Sequence, residues 1–420
     1  MTTEQTAAAT TEANRSRSSK QAMLTALGID ALGSGVYLPL SLLYFTLVAK
    51  LPLGDVGYAL SAATAGTLAV PLVAGSLADR IGARRVVVAA QLLQGLGFLG
   101  YLFVHNIAEL VVTALLVGVG ERSFWTTVFT FVAQSADEGE LDTWYARVSV
   151  IRSIGVGAGA LLAGVVLGVG NRTLYQVAII GNAVSFVAAA VLLAFFVHEK
   201  RAASGRKRIS KGGYRAIMRD RPFLAFTATN LVYSLCLTMI TVALSVYVVK
   251  GLAGPGWLVG VLFALNTGLI IVSQARVTQA VSTYRRTRVL AVAGVIWVVW
   301  ALATAGATQI PHAGLIPYLV VGMLLFTVAE MMQSPTSTAL AAAASVDELR
   351  GRYMAIYQYG YQGAKIIAPV MFTQLFAAGR ALPWLAVAIL TALVIPVLLK
   401  LESHLPESAI RRQPAVPEGS

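Results

Sequence analysis

Long apolar runs separated by short polar gaps fill this chain, and they constrain its fold more than any other feature. A helix that crosses a membrane takes about 20 residues. Breaking the sequence at charges, Pro and Gly gives twelve such runs. Six lie at 22–49, 54–78, 85–104, 107–135, 143–169 and 174–197, and six at 222–249, 255–279, 288–306, 314–344, 351–378 and 381–401. None alternates apolar with polar residues, so they read as helices and not as strands of a transmembrane barrel. Only 12% of the 420 residues are charged, against about a quarter in a soluble domain. The expected fold class is an all-α membrane protein with twelve transmembrane helices, here called spans 1–12.

The charge pattern orients the chain. Of 32 Lys and Arg residues, 25 fall at the two termini and in the even-numbered connections, against four on the other side. By the positive-inside rule both termini are cytoplasmic. The net charge of +13 does not suggest a nucleic-acid partner, because the basic residues sit in gaps between apolar runs and not on an aromatic-rich face. The single Cys236 excludes an intrachain disulfide, and the four His residues lie at or beyond run ends, so no metal site is expected. Residues 1–21 read as a polar cytoplasmic tail and 403–420 as a second one. The longest connection, 198–221, carries nine Lys and Arg residues and divides the chain into six-helix bundles at 22–197 and 222–402. It reads as a tether drawn to anionic lipid.

Weak internal symmetry crosses that linker. Glu140-Leu141 and Tyr145 match Glu348-Leu349 and Tyr353 at an offset of 208, and Arg85-Val86 matches Arg288-Val289 at 203. Two parallel six-helix repeats imply two pseudo-symmetric bundles with a binding site near the bilayer midplane, where the halves meet.

Between spans 2 and 3 stands GSLADRIGARRV, Gly75 to Val86. It resembles the signature G-x-L-A-D-R-x-G-R-K of the major facilitator superfamily, with Gly75, Asp79, Arg80, Gly82 and Arg84 in register and Ala83 departing from it. Gly75 would allow two helices to approach closely, and Gly82 would permit a tight reversal. The resemblance implies a conformational latch in which Asp79 meets the start of span 11 and favours the outward-facing state. An acidic cluster at Asp137, Glu138, Glu140 and Asp142 would pair with Arg80, Arg84 or Arg85. In span 5, Gly155, Gly159 and Gly164 are similar to the superfamily's antiporter pattern, although Ala160 replaces its Pro. Close packing of spans 5 and 8 explains these glycines equally well.

Six ionisable residues fall well inside spans: Asp30, Glu121, Arg122, Arg152, Glu330 and Lys365. Each costs about 2.5–3.5 kcal/mol at a helix centre. Left in lipid, all six would cost about 15–20 kcal/mol, more than typical net stability. They must face each other or a wet cavity. Polar stripes identify the wet faces: Asp30, Ser34 and Tyr37 in span 1, Glu330 and Gln333 in span 10, and Tyr357, Gln358, Tyr361, Gln362 and Lys365 in span 11. Asn230 and Tyr233 in span 7, Asn266 in span 8 and Trp125 beside Arg122 in span 4 extend the candidate cavity.

Three roles stay open for these charges: a structural ion network, proton coupling, or pairing with a charged substrate. A carboxylate in a poorly hydrated cavity can bind and release protons near neutrality. Asp30, Glu330 and Glu121 are the candidates, with Glu121 the weakest because Arg122 adjoins it. Arg122, Arg152 and Lys365 would serve an anionic substrate, or Asp30 and Glu330 a cationic one.

The chain is thus expected to resemble the drug:proton antiporter branch of the superfamily. The partners implied are a small-molecule substrate, protons and the lipid bilayer, in a monomer of the inner membrane. No cofactor is expected, the proton gradient being the energy source. A nutrient or organic-anion importer or uniporter is the rival reading. An enzyme is not expected, since neither H-E-x-x-H nor G-x-S-x-G occurs and there is no ATP-binding P-loop.

Overall fold

The computed structural model describes residues 3–135, 141–197, 217–346 and 349–411. Among these residues the fold is entirely helical. Eight helices are long and apolar enough to cross a membrane, nine if a bent pair counts as one span. Three more helices, Ala83–Tyr101, Ile107–Ser135 and Arg350–Ala378, occupy the places assigned to spans 3, 4 and 11. These three carry Arg84, Gln91 and Gln94, then Glu121 and Arg122, then Arg350, Arg352 and Lys365, which dilutes their apolar character.

Several boundaries differ from the sequence reading. Span 1 belongs to a helix running Thr3–Leu43, so the expected N-terminal tail continues the helix from residue 3. That stretch lacks Gly and Pro, so it contains no strong helix breaker. Span 2 is two helices, Leu53–Gly66 and Val70–Ile81, bent by 42°. The first ends at Gly66, and Pro71 opens the second, where its missing N–H costs no helical bond. Span 7 starts at Arg221, where the Asp220 carboxylate accepts from Phe223 N at 3.1 Å. The C-terminal segment is docked through residue 411: Ala409 and Ile410 of the short helix Glu407–Ile410 are buried. The acidic cluster at 137–140, the linker from 198 to 216, Glu348 and the tail from 412 lie outside the described residues.

Chain contacts divide the protein into two compact units. Unit 1 is Met1–Arg206 with Val259–Thr267, and unit 2 is Lys207–Leu258 with Gly268–Ser420. In unit 1, span 1 packs against spans 5 and 6, and span 3 against spans 4 and 6. Phe124, Phe131 and Trp144 form part of its core with Met23 and Leu27. In unit 2, span 7 packs against spans 11 and 12, and span 9 against spans 10 and 12. Trp300 and Tyr247 both stack edge-on against Trp384 there, with centroids 5.6 and 5.0 Å apart.

The internal repeat appears as matching local geometry. Span 1 ends in a π-helical turn at Tyr44–Val48, and span 7 in one at Tyr247–Gly251, 203 positions later. The same offset separates Lys50 (φ 57°) from Ala253 (φ 50°), two non-glycine residues in the left-handed region. Tyr44 OH donates to the Tyr101 carbonyl at 3.3 Å, and Tyr247 OH donates to the Thr304 carbonyl at 2.5 Å. Both bonds join the end of the first helix of a repeat to the third, again 203 apart. Each phenol therefore fastens the same helix pair after the same distortion, which ties the two units to one ancestral design.

Candidate functional site

Unit 1 holds an ion pair deep in its helices. Asp30 on span 1 is 2% exposed, and its Oδ2 accepts a hydrogen bond from Arg152 Nη1 on span 5. The guanidinium also lies over the ring of Trp125, 4.6 Å from its centroid, and 5.5 Å from that of Phe124. Trp125 itself is 43% exposed, so it offers an open aromatic face beside a buried charge pair. Arg122, one turn before Trp125 and Thr126, is buried, and Glu121 is half-buried.

Glycines allow that pair to form. A Cβ on Gly155 would meet Ala31 Cβ at 2.8 Å and the Gly28 carbonyl at 2.9 Å. One on Gly159 would meet the Leu32 carbonyl at 2.2 Å and Val36 N at 2.7 Å. Spans 1 and 5 thus touch backbone to backbone, and Arg152 stands one turn before Gly155. This corrects the expectation that Gly155 and Gly159 pack on span 8. Only Gly164 does so: a Cβ on Gly260 of span 8 would come within 2.6 Å of Gly164 Cα.

Unit 2 presents a neutral polar cluster. Tyr357 OH donates to Ser337 Oγ at 2.8 Å, and Ser337 Oγ donates to Asn230 Oδ1 at 3.0 Å. Gln333 Nε2 donates to the same Asn230 oxygen at 3.3 Å. Spans 7, 10 and 11 are joined there, as their polar stripes suggested. Gln333 Oε1 and Gln362 Oε1 are buried without a hydrogen bond among the described residues. Tyr361 is 38% exposed, with Lys365 Nζ 5.9 Å from its ring centroid. Gln358 is exposed, and Glu330, Lys365 and Ser34 are half-buried. Asn266, in the span 8 segment that belongs to unit 1, is also half-buried.

Two expected cavity residues make aromatic packing contacts. Tyr37 lies edge-on to Phe98 at 4.5 Å and stacked on Tyr101 at 5.9 Å, within the aromatic interior of unit 1. Tyr233 is 1% exposed, donates to the Leu290 carbonyl at 3.0 Å and packs on Trp297. Both were placed by helical spacing alone, which gives a face but not its neighbour.

The loop from Gly75 to Val86 divides likewise. Gly82 has φ 95° and is the single residue between two helices, so the tight reversal does require glycine. Gly75 makes no close approach: a Cβ there would stand 4.0 Å from Thr126 Cγ2, an ordinary contact. Asp79 and Arg80 are exposed, whereas Arg84 Nε donates to the Leu193 carbonyl of span 6 at 3.1 Å. Gln91 was overlooked by the sequence reading. It is fully buried beside Asp30. Two amides, Gln91 and Gln94, one turn apart in span 3 were the available signal.

Comparison with known proteins agrees with this architecture. The family model described as Major Facilitator Superfamily matches residues 23–369. The multidrug resistance protein MdtH of Aeromonas salmonicida (strain A449) is 23% identical over 372 residues, covering 88% of this chain and 91% of the relative. MdtH of Cronobacter sakazakii (strain ATCC BAA-894) is 24% identical over 315 residues, covering 74% and 76%. Among solved structures, the nucleoside transporter NupG superposes with a TM-score of 0.77 at 11% identity, covering 91% of this chain and 98% of that one. A D-xylose-proton symporter gives 0.73 at 13%, covering 93% and 98%. With its helices, its Asp79 loop and this family match together, the chain belongs to the Major Facilitator Superfamily and is a multi-pass membrane transporter of a small molecule.

Proposed function

We propose that this transporter exports small amphipathic molecules in exchange for protons. The observation that carries the reading is the Asp30–Arg152 pair, buried between spans 1 and 5 with Trp125 across the guanidinium. A proton arriving at Asp30 neutralises the carboxylate and leaves Arg152 with only the ring face. A cation–π contact is worth about 0.5–2 kcal/mol, less than the several kcal/mol at stake when a buried pair loses one partner. Protonation therefore loosens the junction of spans 1 and 5, and deprotonation closes it again. One helix contact is thereby coupled to one proton.

The exposed face of Trp125 offers stacking to a flat, lipophilic compound with few fixed charges. An organic-anion importer would draw on Arg122, Arg152 and Lys365, and the carboxylate of Asp30 already occupies Arg152. The names of the MdtH relatives point the same way. On this reading Asp79 is the latch that biases which side is open. Both termini face the cytoplasm, and the protein sits in the inner membrane.

The test is transport by purified protein in liposomes under an imposed pH gradient, with cationic, neutral and anionic compounds compared. Asp30→Asn is expected to abolish gradient-driven accumulation and to keep equilibrative exchange. Undiminished uphill transport by Asp30→Asn, Glu330→Gln and the double variant would remove proton coupling from these carboxylates.

A further inference from the structure

The connection between spans 8 and 9 repeats the latch loop of the first half with its chemistry altered. At the offset of 203, Arg85 corresponds to Arg288, but Asp79 corresponds to Ser282. The second connection has thus lost its own carboxylate, while Arg285 closes it and Arg286 and Arg288 open span 9. The C-terminal segment supplies the replacement. Arg285 Nη1 donates to Glu402 Oε1 at 2.5 Å, and Nη2 donates to Glu407 Oε1 at 2.9 Å. Thr287 Oγ1 donates to Glu402 Oε2 at 2.5 Å, and Arg286 Nη1 to the Ala409 carbonyl at 2.7 Å. The carboxylates of Glu407 and Glu402 hold the Arg285 guanidinium above its ordinary value.

That replacement leaves positive charge over. Ser282, Thr283, Tyr284, Arg285, Arg288 and Arg411 line a cavity of about 280 Å³ beside these contacts. Three guanidiniums face it, against the two carboxylates that hold the segment. Arg288 and Arg411 are about two-thirds exposed and approach those carboxylates at no less than 3.9 and 3.7 Å. Arg285 Nε is buried and makes no hydrogen bond among the described residues. Guanidinium forks are matched to phosphate oxygens, which they bind in pairs. The cavity is headgroup-sized, below the usual range for a drug-sized ligand. It opens between helices Trp257–Val281 and Arg286–Gln309, both long and apolar enough to span, so it lies where a span meets the headgroup layer.

We propose that this cavity binds a phosphate group, held between Arg288 in the first turn of span 9 and Arg411 on the C-terminal segment. An anion bridging the two pins the helix Glu407–Ile410 to the start of span 9. The phosphate of an anionic phospholipid and free inorganic phosphate share this chemistry, and the experiment separates them.

Hydrogen exchange of the full-length protein is followed at residues 403–411 in three settings: phosphatidylcholine nanodiscs, the same with phosphatidylglycerol, and the first with added inorganic phosphate. Exchange is expected to slow several-fold with phosphatidylglycerol. Slowing with inorganic phosphate as well identifies a soluble source, and slowing with the lipid alone identifies the headgroup. The double variant Arg288→Gln/Arg411→Gln should lose the effect while melting like the wild type. Lys400→Gln/Arg219→Gln removes equal charge elsewhere and should keep it. No slowing in either setting overturns the proposal. So does equal slowing in the cavity variant, or loss of the effect in both variants, which would reveal diffuse attraction to the anionic surface.

Discussion

The contact of spans 1 and 5 can be tested by adding one methyl group. In Gly159→Ala the new Cβ would stand 2.2 Å from the Leu32 carbonyl oxygen and 2.8 Å from the Gly35 carbonyl carbon. Both obstacles are backbone, so no side-chain rotation relieves them and the helices must separate by about 1 Å. Overpacking costs about 1–3 kcal/mol, and a backbone clash belongs at the upper end. Alanine returns about 1 kcal/mol of helix propensity, which leaves a net loss of about 2 kcal/mol. Gly181→Ala is the matched control: its Cβ meets nothing within 4 Å, so only the propensity gain applies. Thermal unfolding of the two variants in detergent should therefore move in opposite directions. Gly159→Ala should also depress gradient-driven transport, because Arg152 reaches Asp30 across the same contact. A Gly159→Ala protein as stable as Gly181→Ala would refute the backbone-to-backbone account.

Other outcomes are expected from the same geometry. Asp30→Asn or Arg152→Gln alone should each cost about 3–5 kcal/mol, and the double variant much less than their sum, because each single change strands a buried group. Additive losses in a double-mutant cycle would show that the two do not interact. Tyr44→Phe and Tyr247→Phe should each lose about 0.5–1.5 kcal/mol, the worth of one hydrogen bond, and by similar amounts. A large loss at one and none at the other, by thermal unfolding, would break the equivalence of the two units. Asp79→Asn should move electron-resonance distances across the cytoplasmic gate toward inward-open values, and unchanged distances would remove the latch role.

What could be read from sequence followed the range of each interaction. Apolar runs placed the helices because burial in lipid acts on every residue of a span. Gly82 was legible because a one-residue turn at positive φ selects glycine locally. Asp30 stood out because a carboxylate inside an apolar run needs a partner. Which partner was not legible: Arg152 lies 122 positions away, and six charges within spans allow many pairings. The break in span 2 was hidden because Gly66 and Pro71 also occur in unbroken membrane helices. Tyr37 and Tyr233 looked like cavity residues because tyrosine suits both a wet wall and an aromatic core, and only neighbours from spans 3 and 9 decide between them. The docking of the C-terminal segment escaped notice because its carboxylates serve arginines more than a hundred positions earlier.

The measurement that bears most directly on proton coupling is an infrared difference spectrum of the purified protein between alkaline and acidic buffer. Asp30 is expected to contribute a protonated-carboxyl band that appears on acidification, shifts when substrate is added, and is missing in Asp30→Asn. A spectrum unchanged by that substitution would mean that Asp30 keeps one protonation state throughout, and the carrier would have to draw its driving force from another group.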